Sequence, residues 1–159
     1  MKLKEAKTKK EYQQAAGLFK MYAAQIGVDL EFQNFSQEIE NLQAQYSRPT
    51  GVLFLVYDAQ ENPVGCFGVR ALDSSVCELK RMYVVNEARG LGLGKQLLEK
   101  SITVAKELSY TKMRLDTLPS MLHAIGLYTK AGFYEIEPYR YNPIEGAKYF
   151  EIDFSQIPN

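Results

Sequence analysis

The sequence predicts a mixed α/β domain built on one sheet, and three features point to it. Apolar runs of strand length, such as VLFLVY at 52–57, alternate with segments of helical period. Short turn signals separate the first three runs, as in a meander. A strand, a glycine loop, a helix and a further strand then follow over 76–117, which should form a right-handed parallel crossover.

The elements follow in chain order. Residues 8–26 read as a helix: Thr8 can cap, Glu11 stands three later, and Tyr12, Ala15, Ala16, Phe19 and Ala23 recur at helical spacing. Gly27 ends it. A second helix fits 36–45, with Ser36 as cap and Ile39 and Leu42 facing inward. Strands at 52–57 and 64–72 flank the turn DAQENP, and Asp73-Ser74-Ser75 leads into a third at 76–85. A helix over 91–108 carries Leu91, Leu97, Leu98, Ile102, Ala105 and Leu108 on one face. A strand at 112–117 precedes a helix that starts at Pro119, has Thr117 or Ser120 near its cap, and closes at Ala131-Gly132. Strands at 133–136 and 147–154, joined by EPYRYNPIEG, complete a single domain over 1–159.

Composition narrows the function. Nineteen basic residues balance nineteen acidic ones, so the global basic excess of a nucleic-acid binder is missing. No apolar run is long enough for a membrane span, and the charged N-terminus has no apolar core of a secretory signal. Cys66 and Cys77 lie in apolar stretches and read as packed, reduced thiols, which leads to the expectation of a cytoplasmic protein, monomeric or homodimeric. Two cysteines without a clustered histidine cannot hold zinc, so no metal is expected. His123, the only histidine, reads as solvent-facing or packed.

The chemistry concentrates at Arg89-Gly90-Leu91-Gly92-Leu93-Gly94-Lys95, where a strand enters and a helix leaves. Glycines let backbone N–H groups approach a ligand, and a helix start adds free donors and a positive dipole end, a combination that binds phosphate. The dinucleotide fingerprint fails, because Lys95 or Leu97 stands where its third glycine should be. The P-loop fails too, with Arg89 in place of its first glycine and Gln96 in place of Ser or Thr. Between Lys80 and Arg114, eight basic residues meet three acidic ones, which agrees with a polyanionic ligand. What fits is R-x-x-G-x-G, at Arg89, Gly92 and Gly94.

That motif after an apolar strand resembles the acyl-coenzyme A motif of the GNAT superfamily of N-acyltransferases. The stretch from Ala124 to Phe133 resembles the family's A-x-x-L-Y-x-K-x-G-F helix and turn. The resemblance covers roughly 50–135 and implies an acetyl-CoA-dependent N-acetyltransferase in which the amine attacks directly in a ternary complex. It places coenzyme A on Arg89 through Lys95, that is Arg89, Gly90, Leu91, Gly92, Leu93, Gly94 and Lys95. It places the pantetheine and the carbonyl oxygen at the backbone of Met82, Tyr83 and Val84, and it aims Tyr128 at the leaving sulfur as an acid. Many relatives carry Asn seven residues before that tyrosine; Met121 stands here, and Ser120 is the nearest substitute.

Glu78, eleven residues before Arg89, matches the spacing of a catalytic base in some members of the family. Two readings of it stand open: a base, direct or through water, and a carboxylate paired structurally with a nearby Lys or Arg. Cys77 points to the opposite strand face from Glu78, which disfavours an acyl-cysteine route. Asp116, Thr117, Tyr139, Tyr141 and Asn142 should border the acceptor, and their mixture suggests a small polar amine. A peptide acceptor, and a sensor that binds acyl-CoA without catalysis, are the alternatives.

Overall fold

The computed structural model describes residues 1–27 and 29–156. A seven-stranded sheet organises them, in the order β1-β2-β3-β4-β5-β7-β6. The strands are β1 (Lys2–Glu5), β2 (Val52–Tyr57), β3 (Pro63–Ala71), β4 (Val76–Val84), β5 (Lys112–Thr117), β6 (Tyr134–Ile136) and β7 (Lys148–Asp153). The helices are α1 (Lys9–Ile26), α2 (Phe35–Glu40), α3 (Leu42–Gln45), α4 (Leu93–Glu107) and α5 (Leu122–Ala131). β1 to β4 run antiparallel, β4 and β5 pair in parallel, and β7 lies antiparallel between β5 and β6.

Most of the expected elements are present, and the reasons are local. Thr8 accepts from the Glu11 N–H at 3.2 Å while the Glu11 carboxylate accepts from the Thr8 N–H at 2.9 Å, a complete capping box. Gly27 closes α1 at φ 68°, in the left-handed region where glycine carries no Cβ penalty. The central strands are buried along their length because helices cover both faces. On β3, a Cβ at Gly65 would point at Leu97 of α4, whereas one at Gly68 would collide with the Tyr46 ring at 2.6 Å. Tyr46 packs edge-on against Phe19 of α1, so α1 and α4 lie on opposite faces.

Three expectations are corrected. β1 was not anticipated, because Lys2, Lys4 and Glu5 hide a strand that pairs with β2 along the sheet edge, where charged side chains are tolerated. The single helix over 36–45 is interrupted at Asn41 (φ −129°) and starts from Asn34 rather than Ser36, whose hydroxyl instead bonds Glu31. The helix expected from Pro119 begins at Leu122, and Ser120 does not cap it. β5 stays paired to β7 as far as Thr117, so Leu118–Ser120 must first turn the chain, and the Met121 N–H bonds the Leu118 carbonyl at 3.0 Å.

Candidate active site

The site starts from a fault in the sheet. Cys66 pairs with Tyr83 and Gly68 with Lys80, so Phe67 alone opposes Arg81 and Met82. This bulge holds Arg81 at φ 58°, a conformation costing a non-glycine residue roughly 1–2 kcal/mol. Its side chain offsets that cost by donating to Glu38 at 2.8 and 3.1 Å and lying over the Phe35 ring at 5.2 Å. The bend carries β4 away from β5. The two pair only over Val76–Glu78 and Lys112–Arg114, and beyond Glu78 they diverge.

A cavity of about 910 Å³ fills the splay. Met82, Tyr83 and Val84 line one wall, and Asp116 and Thr117 the other. At one end, Gly92 caps α4 at φ 77°, and the first amide bonded within this turn is that of Gln96, to the Gly92 carbonyl at 3.2 Å. The N–H groups of Leu93, Gly94 and Lys95 are therefore free to meet a ligand at the positive end of the helix dipole. Arg89 ties this loop to β4 by donating from Nε to the Val84 carbonyl at 3.1 Å. A Cβ at Gly94 would come within 3.2 Å of Leu127 Cδ1, so this glycine also lets α5 approach α4 closely.

Of the residues expected around the donor, Met82, Tyr83, Val84, Arg89, Gly90, Gly92, Leu93, Gly94, Lys95, Ser120 and Tyr128 all line the cavity. Leu91 does not; its side chain is 59% exposed. The Tyr128 ring is buried against Phe133 and Phe150, and its hydroxyl makes no hydrogen bond among the described residues. Burial pushes its pKa well up, so it is a protonated phenol near neutral pH. His123 is exposed at the rim.

The acceptor residues divide. Asp116 and Thr117 also line an adjoining cleft of about 30 Å³, which Asn142, Ile144 and Gln33 help to enclose. Tyr139 and Tyr141 line neither space: Tyr141 is 77% exposed, and the Tyr139 hydroxyl donates to Glu78 at 2.7 Å. Glu78 is fully buried and off the cavity wall. Its carboxylate also accepts from Arg70 Nε at 3.3 Å and from Arg140 Nη2. Burial alone would push this carboxyl up; Lys80, Arg140, Arg70 and the Tyr139 hydrogen bond outweigh it and hold the group below the usual carboxylate range. Of the two readings of Glu78, the geometry fits the paired carboxylate, held by three donors away from the cavity.

Sequence reasoning missed Tyr22 and Gln25 of α1. Gln25 accepts from the Tyr83 hydroxyl at 3.0 Å, and Tyr22 stands edge-on to the Tyr83 ring. The apolar stripe through Phe19 reaches Tyr22 and Ile26, but spacing does not separate a core residue from a cavity residue. Arg81 gave no signal either, since a bulge depends on what pairs with it.

The profile of the acetyltransferase (GNAT) family matches residues 16–133. An uncharacterized N-acetyltransferase of Schizosaccharomyces pombe is 37% identical over 140 residues, 87% of this chain and 86% of that protein. Another, from Dictyostelium discoideum, is 30% identical over 79% of this chain and 86% of its own length. Among solved structures, a GNAT-family acetyltransferase from Staphylococcus aureus superposes with a TM-score of 0.79 at 23% identity, covering 96% of this chain and 98% of that one. A GNAT acetyltransferase from Elizabethkingia anophelis with acetyl-CoA bound is 26% identical over 65% of this chain and 76% of its own, with a TM-score of 0.56. No described helix is long and apolar enough to cross a membrane.

Proposed function

The chain belongs to the acetyltransferase (GNAT) family and is an N-acetyltransferase; from that premise we propose that it moves an acetyl group from acetyl-CoA to the primary amine of a small polar molecule, by direct attack in a ternary complex. One observation carries the reading. The free amides of a helix start, the unpaired edge of β4 and an unbonded tyrosine hydroxyl all face one cavity.

The residues suit a coenzyme A donor. A Cβ at Gly90 or Gly92 would meet no atom within 4 Å, so open space lies over both glycines, beside the amides at the start of α4. The amides of Leu93, Gly94 and Lys95 would hold the pyrophosphate. The β4 edge from Met82 to Val84 would hydrogen-bond the pantetheine and steady the charge that develops on the carbonyl oxygen. Tyr128 would donate a hydrogen bond to the leaving sulfur. Acetyl-CoA itself supplies the activated carbonyl. The narrow cleft beside Asp116 and Asn142 favours a small acceptor over a peptide, which needs an open groove. Glu78 acts here as a positioning residue for the β6–β7 loop.

Gly92→Val tests the donor end. A β-branched residue at φ 77° is strained by roughly 1–2 kcal/mol without any clash, so the fold should survive. Affinity for coenzyme A, read by calorimetry, should fall at least about tenfold as the cradle reshapes. Undiminished affinity in a folded variant refutes the assignment. For the activity, thiol release from acetyl-CoA is measured against ethanolamine, putrescine, amino acids and peptides. Release is expected with a small amine. Release with peptides alone makes the acceptor a peptide, and tight coenzyme A binding without release to any amine makes the protein a sensor.

A further inference from the structure

We propose that Asp116 binds the acceptor's ammonium group and takes the proton that the nitrogen must lose, an inference that rests on the N-acetyltransferase reading above. Among the described residues, Asp116 supplies the only carboxylate lining either the cavity or the adjoining cleft, and it lines both. It sits near the end of β5, where β4 has bent away, so no strand covers that side of it.

Comparison with two other buried carboxylates shows why it is available. Glu38 accepts from Arg81 twice and from the Tyr46 hydroxyl. Glu78 accepts from Tyr139, Arg140 and Arg70. Asp116, with a side chain only 8% exposed, accepts one long hydrogen bond, from Gln33 Nε2 at 3.3 Å, and has Lys80 Nζ at 3.9 Å. An ionised carboxylate has room for about four donors. An ammonium brings three, at the mouth of a cleft sized for a small group. Gln33 fixes the carboxylate's orientation, because it also accepts from Lys80 at 2.9 Å.

The nitrogen's chemistry balances around this group. The C–N bond forms and the thioester C–S bond breaks, with sulfur leaving on the bonding pair. The ammonium sheds two protons in all: one passes to Asp116 and on to solvent, which frees the attacking pair, and the other ends on the departing sulfur on the Tyr128 side.

The charges around Asp116 set the pH signature. Lys80 and Arg81 face it from β4, and Arg140 and Tyr139 from the β6–β7 loop. Tyr22, Tyr128 and Tyr149 bring neutral hydroxyls from α1, α5 and β7. Burial pushes Lys80 down to about 8, with Glu78 and Asp116 opposing the shift, so above pH 8 Asp116 loses its nearest competing cation. Arg81 and Arg140 keep their charge.

The test is Asp116→Asn, which can still accept from Gln33, with thiol release followed over pH using the fastest amine of the panel above. At neutral pH, kcat/KM should fall on the order of 10- to 100-fold, through KM for the lost ammonium contact and through kcat for the lost proton acceptor. The deficit should be deepest just above pH 8 and close toward about pH 10, where the acceptor is already neutral. Asp116→Glu should restore the profile's shape, and coenzyme A affinity should match wild type in both variants. A deficit constant with pH, or none, overturns the proposal. Should the variants not fold, wild type decides: propylammonium must inhibit at least about tenfold better than propanol, and equal inhibition overturns the proposal. Absence of wild-type release with every amine overturns the parent reading and this one with it; wild-type release with an unaltered Asp116→Asn profile overturns this one alone.

Discussion

Glu78→Gln is expected to cost about 3 kcal/mol of stability at neutral pH, the low end for removing one partner of a buried ion pair. The carboxylate it replaces is fully buried and joins Arg70 of β3 to Arg140 and Tyr139 of the β6–β7 loop. Glutamine keeps the shape but leaves Arg140 without its counter-charge and Arg70 with only Glu38, 4.0 Å away. Both arginines are about one-fifth exposed, so water relieves part of the loss. The sign with pH follows from the lowered folded-state value of Glu78. Its stabilisation is present above the unfolded carboxylate value and is lost as pH falls through the lower folded value. The gap between wild type and Glu78→Gln in urea unfolding should therefore narrow in acid. In turnover, the variant should raise the acceptor KM, because the loop it anchors carries Asn142 and Ile144 of the cleft, and its kcat–pH profile should parallel wild type. A kcat loss of 10²-fold or more that recovers with rising pH would return Glu78 to the role of base.

Tyr128→Phe is expected to lower turnover by roughly 10²-fold or less, with coenzyme A affinity nearly unchanged. The substitution removes one hydroxyl that bonds to nothing else described and leaves the ring against Phe133 and Phe150, so packing survives. The low end is expected for two reasons. A thiolate is a tolerable leaving group, and burial raises the hydroxyl's pKa so far that it serves better as a hydrogen-bond donor than as a full proton donor. Single-turnover acetyl transfer to the best amine of the panel reads this step directly. An undiminished chemical rate removes Tyr128 from the mechanism.

The cavity wall expected around the donor was legible because short motifs encode its backbone geometry locally. Arg89, Gly92 and Gly94 mark a turn into a helix, and Tyr128 stands at a fixed place in a helix that Gly132 must end, at φ 111°. The residues expected around the acceptor came together only in part. Asp116, Thr117 and Asn142 do border the cleft, but Tyr139 and Tyr141 do not, because the tyrosines of an irregular loop can face either way and no periodicity decides. Tyr22, Gln33 and Arg81 come to the site from three separate segments and carried no motif at all.

The sequence by itself determined the class of element at nearly every position, the order of strands around the crossover and the place of the glycine loop that starts α4. These depend on periodicity, caps and glycines within a few residues of one another. Only the tertiary structure decided which carboxylate is free. Glu78 lies on the entering strand at the spacing of a base, but Arg70 from the neighbouring strand, and Tyr139 and Arg140 from a loop 61 and 62 residues later, occupy most of its acceptor positions. Asp116 is left under-coordinated because a bulge at Arg81 pulls β4 off β5 just short of it. Whether a buried charge is spent or available depends on partners brought in from distant segments, and no local pattern records them.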